Sequence, residues 1–511
     1  MIRLLALVLP LFVAAPAQAV WRVAQSEHFV IYSENKPETL ARFATDLERF
    51  DAAIRYMRGL KPAADGPNNR LTIFQVPHML AVQRMAQSKS RTLAGFYQGR
   101  AGQSYAFVPR RGESSGSRRD LSAETILLHE YAHHFMYRNY RSAFPLWFSE
   151  GWAEFNAAAR SVANGAVDLG LPAQHRAHGL YAGDLPIETL LTTDGRGLSP
   201  LSLDLLYGRG WLLTHYLHFA RAREGQLARY LAAINEGRSS LDAAKAAFGD
   251  LTVLDRELDA YRKAGLSYLR IPAAKIAVQP VRVSELSPGA QALMPVHMQS
   301  RRGVDDEEAK KVVRQARAAA APYPNDPFAQ LALAEAEIDA GEYDAADRAA
   351  DTVLAADPAS VPALIFKGRV AMHRLKEAKS ADPEAWKQAR RWFTRANRAD
   401  PNAPEPLMWF YESFNREGVK PTANAVTGLE AAAALAPEDD MLRINLAYQY
   451  LADGRAKDAR ATLAPAAFNP HGGPLAEAAR RVIAALDLGG TMAGLKAWSD
   501  KGETNSPSSR P

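Results

Sequence analysis

Hydrophobic and polar positions follow two different rhythms along this chain, and the change between them divides it. In the first part, short strand-like runs stand between helical patterns. Residues 28–32, 70–76 and 103–108 are rich in β-branched and aromatic side chains and read as strands. Leu40, Phe43, Leu47 and Ile54 recur at helical spacing and predict a helix over 38–58, and a short helix is expected over 78–86. This alternation predicts a small α/β layer. Ile126, Leu127, Leu128, Phe135 and Met136 then mark a buried helix, capped by Asp120 or Ser122 with Glu124 in its first turn. A second helix is predicted just beyond Pro145. Residues 156–268 are mainly helical, with apolar spacing over 185–191, 201–222, 226–234 and 241–248. Pro272, Pro280, Pro288 and Pro295 interrupt helical patterns over 269–304, where 276–278 and 281–283 read as short strands of a connector.

From about Asp305 the chain is Ala-rich and repetitive. Asp326-Pro327, Asp357-Pro358, Asp400-Pro401, Ala436-Pro437 and Asn469-Pro470 recur with a period near the roughly 34 residues of helix-pair repeats. Within the repeats stand Ala334, Ala346 and Pro358; then Gly368, Ala389, Phe393, Ala396 and Pro401, with an insertion over 376–384; then Trp409, Ala425, Leu429, Ala432 and Pro437; then Ala447, Tyr450 and Ala459. This pattern resembles a tetratricopeptide array. The resemblance implies an all-α solenoid of about four repeats over 305–487, in which small residues let helices approach and Pro starts each new helix. Such an array offers a groove to a peptide or protein partner; alternatively it is a packing platform for the first part of the chain. Residues 488–511 are expected to be a tail, polar and Pro/Ser-rich at its end.

The candidate chemistry lies between 127 and 155. His129-Glu130-Tyr131-Ala132-His133 places two imidazoles four residues apart, on one face of a helix. Both can point at one metal ion, and Glu130 lies beside them as a general base for water on that ion. His134 points about 100° away from His133 and is expected to pack or face solvent. A catalytic zinc usually takes three protein ligands and keeps one position open. Glu150 begins the second predicted helix, and a helix hairpin would return it to the two histidines. Glu154 stands one turn further, where a carboxylate can orient a ligating histidine through its other nitrogen.

His-Glu-x-x-His followed by Trp147-Phe148-Ser149-Glu150-Gly151-Trp152-Ala153-Glu154 resembles the gluzincin zinc metallopeptidases, with Ser149 where zinc aminopeptidases usually carry Asn. The resemblance implies an α+β, thermolysin-like domain over 20–268. Its zinc ligands would be His129, His133 and Glu150, its base Glu130, and its supporting acid Glu154. Tyr207-Gly208-Arg209-Gly210 resembles the aminopeptidase Tyr-x-Lys-Gly segment with Arg209 for Lys, which makes Tyr207 the oxyanion donor or, alternatively, a core tyrosine. His215 is the fallback donor. By the same resemblance the strand at 105–108 would be a sheet edge that holds substrate backbone; the alternative is an ordinary core strand. A Gly-Ala-Met-Glu-Asn-like segment for binding a substrate amine is absent, so exopeptidase action has no support.

Composition narrows the setting. Of 511 residues, 47% are hydrophobic and 23% charged, as in a globular chain of two or three domains. Arg3, the apolar run 4–15 and Ala17-Gln18-Ala19 read as a secretory signal over 1–19, with an apolar run too short for a membrane span, so cleavage after Ala19 is expected in preference to an anchor. The expected location is periplasmic or secreted. There is no cysteine, so thiolate ligands and disulfides are excluded and His and carboxylate ligands remain. The net charge of +6 is mild, and no nucleic-acid motif accompanies it. The basic Gly/Ser-rich stretch 110–119 reads as a solvated loop, or as a contact for an acidic substrate. Together these features predict an exported Zn2+ peptidase acting on peptide or protein substrates. Its alternatives are an inactive peptide-binding scaffold and a hydrolase of a cell-wall amide.

Overall fold

A computed structural model describes residues 20–61, 66–88, 93–110, 122–181, 183–469 and 473–499. The signal segment, the basic stretch beyond Arg110 and the polar end of the tail lie outside the described residues. The strands are β1 (Arg22–Gln25), β2 (Phe29–Ser33), β3 (Leu71–Val76), β4 (Phe96–Gln98), β5 (Tyr105–Pro109), β6 (Arg160–Ser161), β7 (Val167–Leu169), β8 (Leu269–Ile271) and β9 (Arg282–Glu285). The first helices are α1 (Pro37–Arg58), α2 (Met79–Met85), α3 (Ala123–Asn139) and α4 (Leu146–Ala157). There follow α5 (Ala177–Tyr181), α6 (Ile187–Thr192), α7 (Pro200–Phe219), α8 (Gln226–Asn235), α9 (Ser240–Phe248), α10 (Leu251–Tyr261) and α11 (Pro288–Arg302).

Among the described residues six strands form one mixed sheet in the order β4-β5-β3-β2-β1-β9. Strands β2, β3 and β5 run parallel, and β1, β9 and β4 add antiparallel flanks. Successive residues of a strand face opposite sides, and both sides here are apolar. Phe29, Ile31, Leu71, Ile73, Ala106 and Val108 join the core made with α1 and α3. Phe74, Val76, Tyr105 and Phe107 join Met294 and Met298 of α11 on the other side. A sheet covered on both faces explains why its strands lack an exposed polar alternation.

Two expectations change here. Strand β5 is interior, between β3 and β4, so it cannot be the edge that accepts substrate backbone; β4 is the outermost strand on that side. The connector is not a spacer. Of residues 281–283, Arg282 and Val283 enter β9, but 276–278 form no strand, and Leu269–Ile271 pairs with β7 in a second, three-stranded sheet. Pro288 opens α11 behind the Ser287 cap, where its missing N–H is not needed. Pro295 lies inside α11; tertiary packing holds the helix together there, with Met294 and Met298 on the sheet and Leu293 and Val296 on the helices that follow.

Those helices are α12 (Asp306–Ala320), α13 (Pro327–Asp339), α14 (Tyr343–Ala356), α15 (Val361–Glu377) and α16 (Pro383–Ala399). Then come α17 (Pro404–Glu417), α18 (Ala423–Leu435), α19 (Asp440–Ala452), α20 (Ala456–Ala467) and α21 (Gly473–Ser499). Pairs α13/α14, α15/α16, α17/α18 and α19/α20 pack successively into an all-α, tetratricopeptide-like solenoid. Ala334, Ala346, Ala389, Ala396, Ala425, Ala432, Ala447 and Ala459 are buried at the helix contacts. A β-carbon on Gly368 would come within 2.5 Å of the Phe393 ring. Pro327 does start a helix behind the Asp326 cap, whereas Pro358, Pro401 and Pro437 lie in the turns, ahead of helices that begin at Val361, Pro404 and Asp440. The tail begins later than expected, because α21 runs to Ser499 across a kink at Gly490. No described helix is long and apolar enough to cross a membrane.

The array is fastened to the first domain. The loop joining β4 to β5 meets it where Ala101 N donates to Asp439 Oδ2 at 2.8 Å and Ser104 Oγ to Glu438 Oε1 at 3.0 Å, and Arg301 at the end of α11 donates to Gly102 O at 2.9 Å. Asn69 Nδ2 donates to Leu435 O at 2.8 Å, and Arg138 of α3 also reaches that carbonyl. At this end the array is a platform for the domain that carries the candidate chemistry.

Candidate metal centre

Helix α3 starts at Ser122, whose hydroxyl accepts from Thr125 N at 3.0 Å. Leu127, Leu128 and Phe135 enter the domain core, which turns the opposite stripe, with His129 and His133, toward α4. Apart from Leu146, all residues of α4 are buried, so this helix is enclosed around its circumference and Glu150 and Glu154 sit inside the domain. At the crossing of α4 with α7 the backbones touch: a β-carbon on Gly151 would stand 2.4 Å from Gly210 O, and one on Gly210 2.7 Å from Trp147 O. These two glycines let Glu150 and Tyr207 approach the same space.

The three candidate ligands converge. His129 Nε2 and His133 Nε2 are 3.2 Å apart, and Glu150 Oε2 lies 3.5 Å from the first and 3.6 Å from the second. Two groups bound about 2.0–2.1 Å from a tetrahedral ion stand about 3.3–3.4 Å apart. The observed triangle therefore has the size that a zinc-like cation fills. Each histidine is also held from behind. Glu154 Oε1 lies 3.1 Å from His129 Nδ1, and Ser149 Oγ lies 3.4 Å from His133 Nδ1. Ser149, at the position where the resemblance expected Asn, thus reaches a ligand candidate and is itself 3.3 Å from Tyr137 OH. With both Nδ1 atoms engaged, both Nε2 atoms face the centre.

The electrostatics favour a cation. Burial alone would lower the pKa of His129, but the carboxylates of Glu150 and Glu154 outweigh it and push the ring up to about 10. Burial would raise Glu154, yet Arg176, His129 and His175 hold it well below the usual carboxylate range. His175 Nε2 and Arg176 each stand 2.6 Å from Glu154, on its two oxygens. Nothing in the sequence marked His175 or Arg176. They sit in a single 3-10 turn without periodicity, and only the fold brings them to Glu154.

Of the other predicted residues, Glu130 lies half-buried, near the start of β4, and its charge acts on Tyr207. A β-carbon on Gly95 would stand 3.6 Å from the Glu130 Cγ. The Tyr207 ring lies 6.3 Å from that of His129, so α7 does bring it to the site. The charge of Glu150, then burial, keeps its phenol well above the ordinary range, so it is a protonated donor at neutral pH. Arg209 points elsewhere and pairs with Asp184 at 3.0 Å and with Asp255. His215 is not at the site. It is buried, and its ring nitrogens are taken by Gly170 O, Ser267 O and Tyr261 OH. His134 packs as expected, with Nδ1 2.9 Å from Tyr97 OH of β4.

No protein-family model and no curated protein matches the sequence. Among solved structures, the chain is similar to a thermophilic TPR protein of Thermus thermophilus, at 21% identity and a TM-score of 0.32, over 38% of this chain and 97% of that one. It is also similar to the MamA RS-1 ArsTM double mutant, at 19% identity and a TM-score of 0.26, over 34% of this chain and 91% of that one.

Proposed function

We propose that the chain is an exported, zinc-dependent metallopeptidase whose tetratricopeptide-like array supports the catalytic domain. The observation that carries this is the 3.2–3.6 Å triangle of His129, His133 and Glu150, with both imidazoles oriented from behind. A cation in that triangle would supply Lewis-acid chemistry toward a scissile carbonyl and toward water. The residues around it do the rest. Glu130 takes the proton of the attacking water and later gives it to the leaving amine. The Tyr207 hydroxyl donates to the oxygen that becomes negative as the tetrahedral intermediate forms. Strand β4, beside Glu130 and on the rim of the sheet, holds the substrate backbone as an added strand, the role first assigned to 105–108. A protein partner on the array would have to use surface that the β4–β5 loop leaves open.

Metal analysis and turnover decide between this reading and its rival. Wild type and Glu130→Gln should each hold about one zinc, and His133→Ala should lose it. Cleavage of casein peptides should vanish in Glu130→Gln although its zinc stays. The rival is an inactive scaffold, which the packed helix pairs favour; it requires wild type to show no turnover, with zinc or without.

A further inference from the structure

We infer that Arg176 is a positioning residue that fixes the oxyanion donor and the metal ligand as one unit. The inference rests on the peptidase reading. Its guanidinium lies 2.6 Å from Glu154 Oε1, the oxygen that also faces His129 Nδ1 at 3.1 Å. The same guanidinium lies over the Tyr207 ring, 4.6 Å from its centroid, with Asp204 3.7 Å away on its outer side. Arg176 thus closes a path of contacts from His129 through Glu154 to Tyr207. One flat cation spans a carboxylate and an aromatic face with a rigid fork of donors, a geometry that the point charge of a lysine does not reproduce.

The fold keeps Arg176 there by backbone contact. A β-carbon on Gly179 would stand 2.2 Å from Asp204 O, and one on Gly208 would stand 2.8 Å from the Gly179 carbonyl carbon. Helix α5, which directly follows Arg176, therefore lies against α7 without intervening side chains, one residue from Tyr207. His175 takes the second oxygen of Glu154 at 2.6 Å, so this carboxylate cannot rotate while the turn stays docked. The arrangement aligns two groups on different helices, α3 and α7, through a turn that belongs to neither.

The experiment uses the full chain with Arg176→Ala, Arg176→Lys, Glu154→Gln and the Arg176→Ala/Glu154→Gln double variant, each checked for wild-type thermal unfolding. Zinc affinity is read by chelator competition, and kcat and KM on a quenched casein substrate. Arg176→Ala and Glu154→Gln should each weaken zinc binding about tenfold, and the double variant should be no weaker than the worse single one. Arg176→Lys should stay within about threefold of wild type for zinc, yet lose about tenfold or more in kcat at unchanged KM. Multiplying effects in the double variant, or unchanged zinc affinity in Arg176→Ala, would overturn the inference. So would full kcat in Arg176→Lys. A wild type that binds zinc but leaves casein intact sinks the peptidase reading alone, and the zinc arm still judges Arg176. A wild type that takes up no zinc sinks both.

Discussion

His215 shows how one position can look catalytic and serve the core. It follows Tyr207 by two turns of α7, yet its Nε2 lies 2.9 Å from Gly170 O and 3.0 Å from Ser267 O, and its Nδ1 2.9 Å from Tyr261 OH. The neutral ring satisfies all three: Nε2–H donates to the carbonyls and Nδ1 accepts from the phenol. Burial pushes its pKa down to about 4, against the pull of the two carbonyls. The folded value is below the ordinary 6.5, so as pH falls the unfolded chain takes the proton first. The stability that His215 contributes is therefore whole above about pH 6.5 and drains away toward pH 4. His215→Asn removes that dependence. Its destabilisation relative to wild type should shrink by ~2 kcal/mol between pH 7 and pH 5 in urea unfolding, since His218 and other groups cancel in the comparison. A penalty equal at both pH values would show that the ring does not titrate as described.

At the scale of elements, the site depends on how closely α4 and α7 cross. The glycines that permit it, Gly151 and Gly210, lie in motifs first noticed for Glu150 and Tyr207. Gly210→Ala should force a β-carbon onto the Trp147 carbonyl, cost about 1–3 kcal/mol, and move Glu150 away from the histidines. Lower thermal stability together with weaker zinc binding is the expected pair of results; a lowered stability with unchanged zinc affinity would mean that the crossing does not set the site. The residue pattern made α3 and α4 legible, because a four-residue His spacing and a long apolar run are local signals. The helix pairs of the array were legible for the same reason. Strand β4 was not, being three residues long, nor were β6, with only two residues, and β8, whose partner β7 lies about a hundred residues earlier. Helix α11 was hidden by Pro295, since only packing on two sides explains a helix there. Arg176 and His175 gave no signal, because their role exists only after Glu154 has been buried beside them.

For the whole molecule, the question is what the array does for a site it does not line. Its α18–α19 turn, together with the end of α11 outside it, holds the β4–β5 loop, and Arg138 ties the end of α3 to the same turn. Strand β4 is short and outermost, so on its own it would be weakly fixed. Held by the array at the loop and by Tyr97 to His134 at α3, it is kept beside Glu130. The contact at Gly99 tests this, because a β-carbon there would stand 2.2 Å from Glu438 O. Gly99→Ala must push the loop off the array or distort the turn, without touching a metal ligand. If the array positions β4, the variant should keep its zinc, while KM for casein rises several-fold and kcat changes less, because backbone capture weakens before chemistry does. Unfolding should also lose cooperativity, with the array and the first domain melting apart. A variant with wild-type KM would show that this contact does not position β4, and the array would then be free to act as a scaffold for other proteins.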